Sequence, residues 1–171
     1  RFILYHRGSR DARNDIWAVP LDGDRKPFPV VATKFSDANG QFSPDGKWIA
    51  FQSDESGQVE VYVQPFPGPG RRTRISRDGG DQARWRRDGR ELFYLTPDDR
   101  LMAVPMRLDV ERDVVDAGMP ATLFALRVNG TPRHPFGRHY SVSRDGQRFL
   151  VDTLKEATLP ITVVLNWKPK P

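Results

Sequence analysis

Three Asp-Gly pairs contain the acidic residues whose spacing could do chemistry. Each pair lies between an aromatic or apolar residue and a short run rich in β-forming residues; the pairs are Asp45-Gly46, Asp88-Gly89 and Asp145-Gly146. Three carboxylates could together hold a metal ion or a ligand. Asp-Gly between two such runs is also the strongest short hairpin signal, and a short carboxylate readily bonds its own turn. Because equivalent turns of successive repeats should lie a repeat's width apart, we predict structural turns and no metal site.

The three histidines, His6, His134 and His139, are the next candidates for catalysis or metal binding. His134 and His139 lie five residues apart in a Pro/Gly-rich stretch, but no acidic residue is spaced to complete a metal site with them. No Gly-x-Ser-x-Gly nucleophile elbow occurs. With no cysteine, the chain has no disulfide, thiolate zinc site, iron–sulfur cluster or cysteine nucleophile. We therefore predict no catalytic residues and no cofactor.

Arginines form the strongest charge feature. Residues 71–90 hold eight arginines against three aspartates, an excess that equals the net charge of the whole chain, +5. Guanidinium groups suit bidentate contacts with carboxylates and phosphates. The candidates for an anion-binding patch are Arg71, Arg72, Arg74, Arg84, Arg86 and Arg87. Alternation along strands would instead scatter them over both faces, so a solvated sheet edge is the alternative.

Composition indicates a folded chain with many turns. The 171 residues include 10 Phe, 4 Trp and 4 Tyr, enough large apolar side chains to offset the entropy of ordering the chain. Fourteen glycines and fifteen prolines exclude a protein built of long helices. The chain contains no run of about 18 apolar residues, which is the length needed to span a membrane. The first residue is not Met, and the chain is expected to be a processed or excerpted part of a longer protein.

An internal repeat organises the chain. Residues 42–51, 85–94 and 142–151 each contain an apolar residue, two linking residues, Asp-Gly, a polar residue and a β-rich run. The turn glycines lie 43 and 57 residues apart, and about 43 is the period of a four-stranded propeller blade. The longer interval holds two charged or Pro/Gly-rich stretches, 107–116 and 127–137. We predict that both are loop extensions and not an extra strand.

Two further blocks complete each repeat. A strand ending at a proline recurs at residues 16–21, 61–66 and 101–106, and its proline should mark a strand end or an edge. An outer strand follows at 28–33, 73–76 and 121–126. The sequence thus predicts an all-β propeller segment of about 3.5 four-stranded antiparallel blades, a partial ring. The blades are 1–34 (partial), 35–78, 79–127 and 128–171 (partial), with 14 strands in total.

These repeats resemble the TolB-type, WD-like propeller repeat, whose signature is an aromatic-Ser-Pro-Asp-Gly-Lys/Arg turn followed by Ile-Ala-Phe. Residues 42–51 fit it closely, whereas Arg86-Arg87 and Ser143-Arg144 replace the Ser-Pro of the later copies. That first copy, Val-Gln-Pro-Phe-Pro at 63–67 and Thr-Val-Val-Leu-Asn-Trp at 162–167 are similar to the C-terminal propeller of bacterial receptor-like serine/threonine protein kinases. The resemblance implies a sensor or protein-interaction domain on the extracytoplasmic, periplasmic side, with any kinase outside this chain.

Aligning the inner strands predicts where a ligand would bind, since propellers usually bind at the mouth of the central channel. One tier holds Asn39, Gln82 and His139, and a second tier holds Gln41, Arg84 and Ser141. By alternation within a strand, the two tiers share a face. These residues could bind a ligand, or they could only line a water-filled channel.

The predicted function is a non-enzymatic binding or scaffolding module with a protein or small-ligand partner. An accessory propeller gating a prolyl-oligopeptidase-like peptidase, and a polyanion-binding module using the arginines between Arg71 and Arg90, are the alternatives; nucleic acid is not an expected partner. Half a ring exposes sheet edges. Two copies would supply 28 strands, the content of a seven-bladed ring, so a homodimer that completes a ring is a further hypothesis.

Overall fold

The computed structural model describes residues 1–8, 13–68, 70–126, 138–153 and 163–164. These residues form fifteen strands and no helix, and hence contain no helix able to cross a membrane. The strands are β1 Phe2–Gly8, β2 Asn14–Pro20, β3 Phe28–Val31, β4 Asp37–Phe42, β5 Trp48–Ser53, β6 Glu60–Pro65, β7 Thr73–Arg74, β8 Asp81–Trp85, β9 Glu91–Leu95, β10 Arg100–Asp109, β11 Val114–Ala117, β12 Ala121–Ala125, β13 Tyr140–Val142, β14 Phe149–Val151 and β15 Val163–Val164.

The strands pair into four successive antiparallel sheets, which we number as blades 1 to 4. Blade 1 is β1-β2-β3, blade 2 is β4-β5-β6-β7, blade 3 is built on β8-β9-β10, and blade 4 is β13-β14-β15. In blade 3 both β11 and β12 pair with β10. The prediction of an all-β fold and a partial β-propeller is confirmed.

The cores lie between the blades. Strand β5, at the centre of blade 2, is buried along its whole length because both of its faces are covered. Trp48 and Ala50 pack towards blade 3, whereas Ile49 and Phe51 pack towards blade 1. A third cluster, around Phe93 and residues of β13 and β14, joins blades 3 and 4. Each blade therefore depends on its neighbours for burial.

One predicted loop is a strand. The stretch 107–116 was predicted to be a loop extension without an extra strand, and this is wrong, because β10 continues to Asp109 and pairs with β11. The side chains of Leu108, Val115 and Ala117 alternate along this hairpin and pack against the core between blades 2 and 3. Apolar alternation thus overrides the local charge. The other surplus stretch, 127–137, lies outside the described residues.

Pro105 departs from the expected position of a blade proline. Pro20 and Pro65 are the last residues of β2 and β6, as predicted, but Pro105 lies inside β10. At this point the partner of β10 changes from β12, whose pairing ends at Ala103, to β11, whose pairing starts at Met106. A residue without an N–H is tolerated there because no ladder bond is required of it.

Candidate channel-mouth binding site

Two β-bulges shape the inner strands. The register of β4 shifts between Ala38 and Gln41, and that of β8 shifts between Asp81 and Arg84. Inside these bulges, Asn39 and Gln82 each have a φ of 53°, a left-handed conformation that is uncommon for residues other than glycine. A bulge releases a backbone group from the ladder of its own blade, so it can bond elsewhere.

The released N–H groups bond to the neighbouring blade. Asn39 N–H donates to Nε2 of His6 in blade 1 over 2.8 Å, and Gln82 N–H donates to Oε1 of Gln52 in blade 2 over 3.5 Å. His139 N–H, just before β13, donates to Oε1 of Gln82 over 2.9 Å. We call His6, Asn39, Gln52, Gln82 and His139 the inner chain. It links all four blades through one repeated arrangement, a backbone donor on one blade and a side-chain acceptor on the blade before.

Gln82 is the most connected member of the inner chain. Its residue is 1% exposed, and its Nε2 lies 2.8 Å from His139 Nδ1. The Tyr140 hydroxyl donates to the Gln82 carbonyl oxygen over 2.8 Å. Burial raises the pKa of Tyr140 far above its usual value, so the hydroxyl keeps its proton at all ordinary pH values. These bonds fix the first predicted tier, Asn39, Gln82 and His139, as a blade-to-blade connection.

The second tier contains one connector and one mostly buried charge. Gln41 Oε1 accepts the backbone N–H of Trp85 over 3.3 Å, which joins blades 2 and 3. The Arg84 guanidinium lies 5.7 Å from the centre of the Tyr140 ring and donates through Nη1 to the Ala83 carbonyl over 2.7 Å. Ser141 is exposed.

Arg84 is electrostatically unusual. Among the described residues, no carboxylate lies within ion-pair distance of its guanidinium, since none of the ion pairs includes it. Burial lowers the pKa of Arg84, and the nearby charge of Arg138 lowers it further, whereas Tyr140 and Asp81 act in the opposite direction. A guanidinium held away from water without an ion-pair partner pays a desolvation cost.

The turn aspartates make the bonds predicted for structural turns. Asp45, Asp88 and Asp145 each accept, through Oδ1, a backbone N–H two residues further along, over 3.0–3.1 Å. The turn glycines have φ between 71° and 73°. Asp45 and Asp88 line one cleft of about 350 Å³. Within the described ranges, no three His, Asp or Glu side chains group in a way that could hold a metal ion.

The arginines of residues 71–90 do not act alike. Arg86 is paired with Asp88 over 2.6 Å and with Glu91 over 2.6 Å, and Arg72 is paired with Glu55 over 2.9 Å. The bond from Arg86 lowers the pKa of Asp88 to about 2. Arg74 and Arg87 are exposed, and the Arg71 backbone N–H donates to Asp113. Two of the six candidates therefore have carboxylate partners, and Arg84 lies apart from them on the inner strand.

The histidines contribute to the blade connections. His6 accepts the Asn39 N–H, and burial lowers its pKa, which favours the neutral ring that this bond needs. His139 is 6% exposed and is bonded to Gln82. His134, the other half of the spaced pair, lies outside the described residues.

No protein-family model and no curated protein matches the chain. Solved structures do. TolB from Acinetobacter baumannii aligns with a TM-score of 0.60 at 17% identity, over 91% of this chain and 36% of that one. A structure assigned as TolB from Agrobacterium tumefaciens aligns with a TM-score of 0.58 at 21% identity, over 73% of this chain and 46% of that one.

The β-propeller domain of the Trilobed protease from Pyrococcus furiosus aligns with a TM-score of 0.50 at 16% identity, over 98% of this chain and 51% of that one. At these identities the likeness shows the fold alone, which is a TolB-like β-propeller. The chain spans between about a third and a half of the length of these structures.

Proposed function

We propose that the chain is a non-enzymatic binding or scaffolding module that engages its partner at the inner-strand face. The observation that carries the proposal is the inner chain, in which one hydrogen-bonding arrangement recurs at three successive blade junctions. Such a framework holds the neighbouring side chains at fixed positions, and a rigid scaffold that presents side chains is what recognition requires.

The polar groups nearest this face divide into two kinds. Gln82 and His139 bond each other and are almost fully buried. Arg84 and Ser141, on the adjoining tier, retain groups that can contact a partner, because Ser141 is exposed and Arg84 makes one hydrogen bond with the described part of the chain. The second tier is therefore the part of the predicted site that we assign to binding.

A finer proposal concerns the parent protein. The resemblance of the motifs at 42–51 and 63–67 to receptor-like kinase propellers supports a sensor or protein-interaction domain of a larger bacterial protein, on the extracytoplasmic side. The parent reading frame tests this. A kinase and a membrane span upstream would support the sensor, whereas a hydrolase downstream would support the gating propeller of a peptidase instead.

Thermal unfolding with a panel of short peptides tests the binding function, because a ligand that binds only the folded state raises Tm. The panel contains acidic, basic and neutral peptides, with heparin as the polyanion. We expect at least one peptide to raise Tm in a saturable way, and Ser141→Trp, which enlarges the exposed position next to Tyr140 on β13, to abolish the shift. Ser56→Trp, in an exposed turn of blade 2, is the matched control.

Three results would contradict the proposal. Peptide cleavage by the pure chain would replace it with an enzymatic function. A set of shifts that Ser141→Trp leaves unchanged would move the site away from the inner strands. Binding of heparin alone, weakening steeply with salt, would favour the polyanion alternative. Sedimentation equilibrium separately tests the hypothesis of a ring-completing homodimer, which a stable, folded monomer would exclude.

A further inference from the structure

We propose that Arg84, with the ring of Tyr140 beneath it and the charge of Arg138 nearby, binds a carboxylate group of the partner. This inference rests on the proposed binding function and names the chemistry that the inner face recognises. It starts from the Arg84 guanidinium, which has five N–H donors and, within the described residues, uses one of them, Nη1 to the Ala83 carbonyl. The remaining donors include a fork suited to a planar carboxylate.

The contrast with Arg72 and Arg86, which are also partly buried, supports this assignment. The side chains of Arg72 and Arg86 are 31% and 23% exposed, and each is within 2.9 Å of a carboxylate oxygen. Arg84 is also largely shielded from water but has no carboxylate partner among the described residues. Since Arg72 and Arg86 each have a carboxylate partner, the partner that we assign to Arg84 is a carboxylate supplied from outside.

Tyr140 gives the site its orientation. Its hydroxyl is held by the Gln82 carbonyl, so its ring is fixed by the same inner chain that joins blades 3 and 4. The guanidinium lies 5.7 Å from the ring centre, where the face of an aromatic ring attracts a cation. Arg84 is therefore held in place before a ligand arrives, which reduces the entropy lost on binding.

Arg138 adds a second positive charge near Arg84, and this favours the binding of an anion. It is exposed and makes no hydrogen bond or ion pair with the described part of the chain, and its charge opposes that of Arg84. An anion between two like charges relieves their repulsion. Among the described residues, Asp81 is the acidic group that acts on Arg84. Two arginines and one aspartate leave a single net positive charge, which matches a monoanionic carboxylate better than a phosphate dianion.

The test measures binding of three probes to the full chain by NMR titration. The probes are acetate, a neutral pentapeptide with a free C-terminal carboxylate, and inorganic phosphate. We expect both carboxylates to bind more tightly than phosphate. Arg84→Gln should weaken carboxylate binding about tenfold or more, since a charge-assisted bidentate contact is lost. Arg84→Lys keeps the charge but loses the fork, so its carboxylate affinity should lie between those of the wild type and Arg84→Gln.

Arg86→Gln is the matched control, because it removes an equal charge two residues away on the same segment. It should leave the carboxylate affinity within about twofold. Equal losses in Arg84→Gln and Arg86→Gln, no loss in Arg84→Gln, or tighter binding of phosphate would each overturn the inference. The amidated form of the pentapeptide separates a failure of the carboxylate site from a failure of the proposed binding function. If it binds as well as the free acid and Ser141→Trp blocks both, the binding function stands and the carboxylate site fails.

Discussion

Arg84 and Arg86 lie two residues apart, yet the structure places them in two different electrostatic settings. Arg86, in the Asp-Gly turn that follows β8, has carboxylates on two sides, and its bond to Asp88 raises its own pKa. Arg84, on the inner strand, lies against an aromatic ring, and burial lowers its pKa. The same residue type thus has a complete set of partners in the turn region and an incomplete one in the inner-strand region.

The difference follows from how each region joins neighbouring blades. In the turn region, the Arg86 side chain lies across the turn of blade 4, where a Cβ on Gly146 would come within 2.5 Å of Arg86 Cδ. The charge of Arg86 is neutralised locally by Asp88 and Glu91. In the inner-strand region, amides and imidazoles make the blade connections, so these connections do not use the Arg84 guanidinium. We infer that the turns stabilise the fold, while the inner strands both stabilise it and recognise the partner.

The largest expected effect comes from breaking the inner chain. Gln82→Leu removes the acceptor of the His139 N–H and the partner of its Nδ1, leaving buried polar groups unsatisfied. We expect a loss of about 2–4 kcal/mol in the free energy of unfolding. Urea denaturation measures it, with Gln147→Leu as the exposed control, expected to change stability by less than about 0.5 kcal/mol. Equal values for the two variants would show that the inner chain does not hold the blades together.

A glycine pair tests the turn region. Gly46 and Gly146 have φ values of 71° and 72°, but only at Gly146 would a new Cβ meet a neighbour within 4 Å, the Arg86 side chain. Alanine should cost about 1–2 kcal/mol at Gly46 through left-handed strain alone, and roughly 1 kcal/mol more at Gly146. Denaturation of both variants gives the difference. If Gly146→Ala costs no more than Gly46→Ala, then Arg86 does not pack where the structure places it.

The smallest effect is a pH dependence of the turn region. Because the pKa of Asp88 is lowered to about 2 in the folded state, its contribution is complete above its unfolded pKa of 3.8 and is lost as the pH falls towards 2. Arg86→Met removes the cause of this shift. The stability gap between wild type and Arg86→Met should therefore be constant above about pH 4 and narrow below it. A gap that stays constant from pH 5 to pH 2 would contradict the pairing.

Much of the fold could be predicted from the sequence because each blade corresponds to one copy of an internal sequence repeat. The Asp-Gly turns predicted the hairpins, and the glycines there adopt the positive φ that the turns need. Aligning the repeats also predicted which residues share a tier, and Gln82 and His139 do meet. Register carries this information, since equivalent positions of successive blades face each other.

The bulges, and which arginines have carboxylate partners, could not be predicted from the sequence. Gln82 is neither a glycine nor an asparagine, so nothing local indicated its positive φ or the release of its N–H group. The charged stretch 107–116 hid the apolar alternation that makes β11. A local count of arginines could not separate Arg84 from Arg86, because pairing depends on Glu91 and Tyr140, which other strands supply. Only three-dimensional contacts distinguish a neutralised arginine from one that lacks a partner.

The most direct test of this account is the difference in the free energy of unfolding between Arg84→Met and Arg86→Met, measured without ligand at low ionic strength. Methionine keeps an apolar stem in place of each arginine. Arg86→Met should lose about 1–2 kcal/mol, because it leaves two carboxylates unpaired at a partly exposed site. Arg84→Met should cost less than about 0.5 kcal/mol or even stabilise the fold, since it removes a charge that burial penalises. If Arg84→Met costs as much as Arg86→Met, then Arg84 already has its partner within the chain, and the contrast between the two regions is wrong.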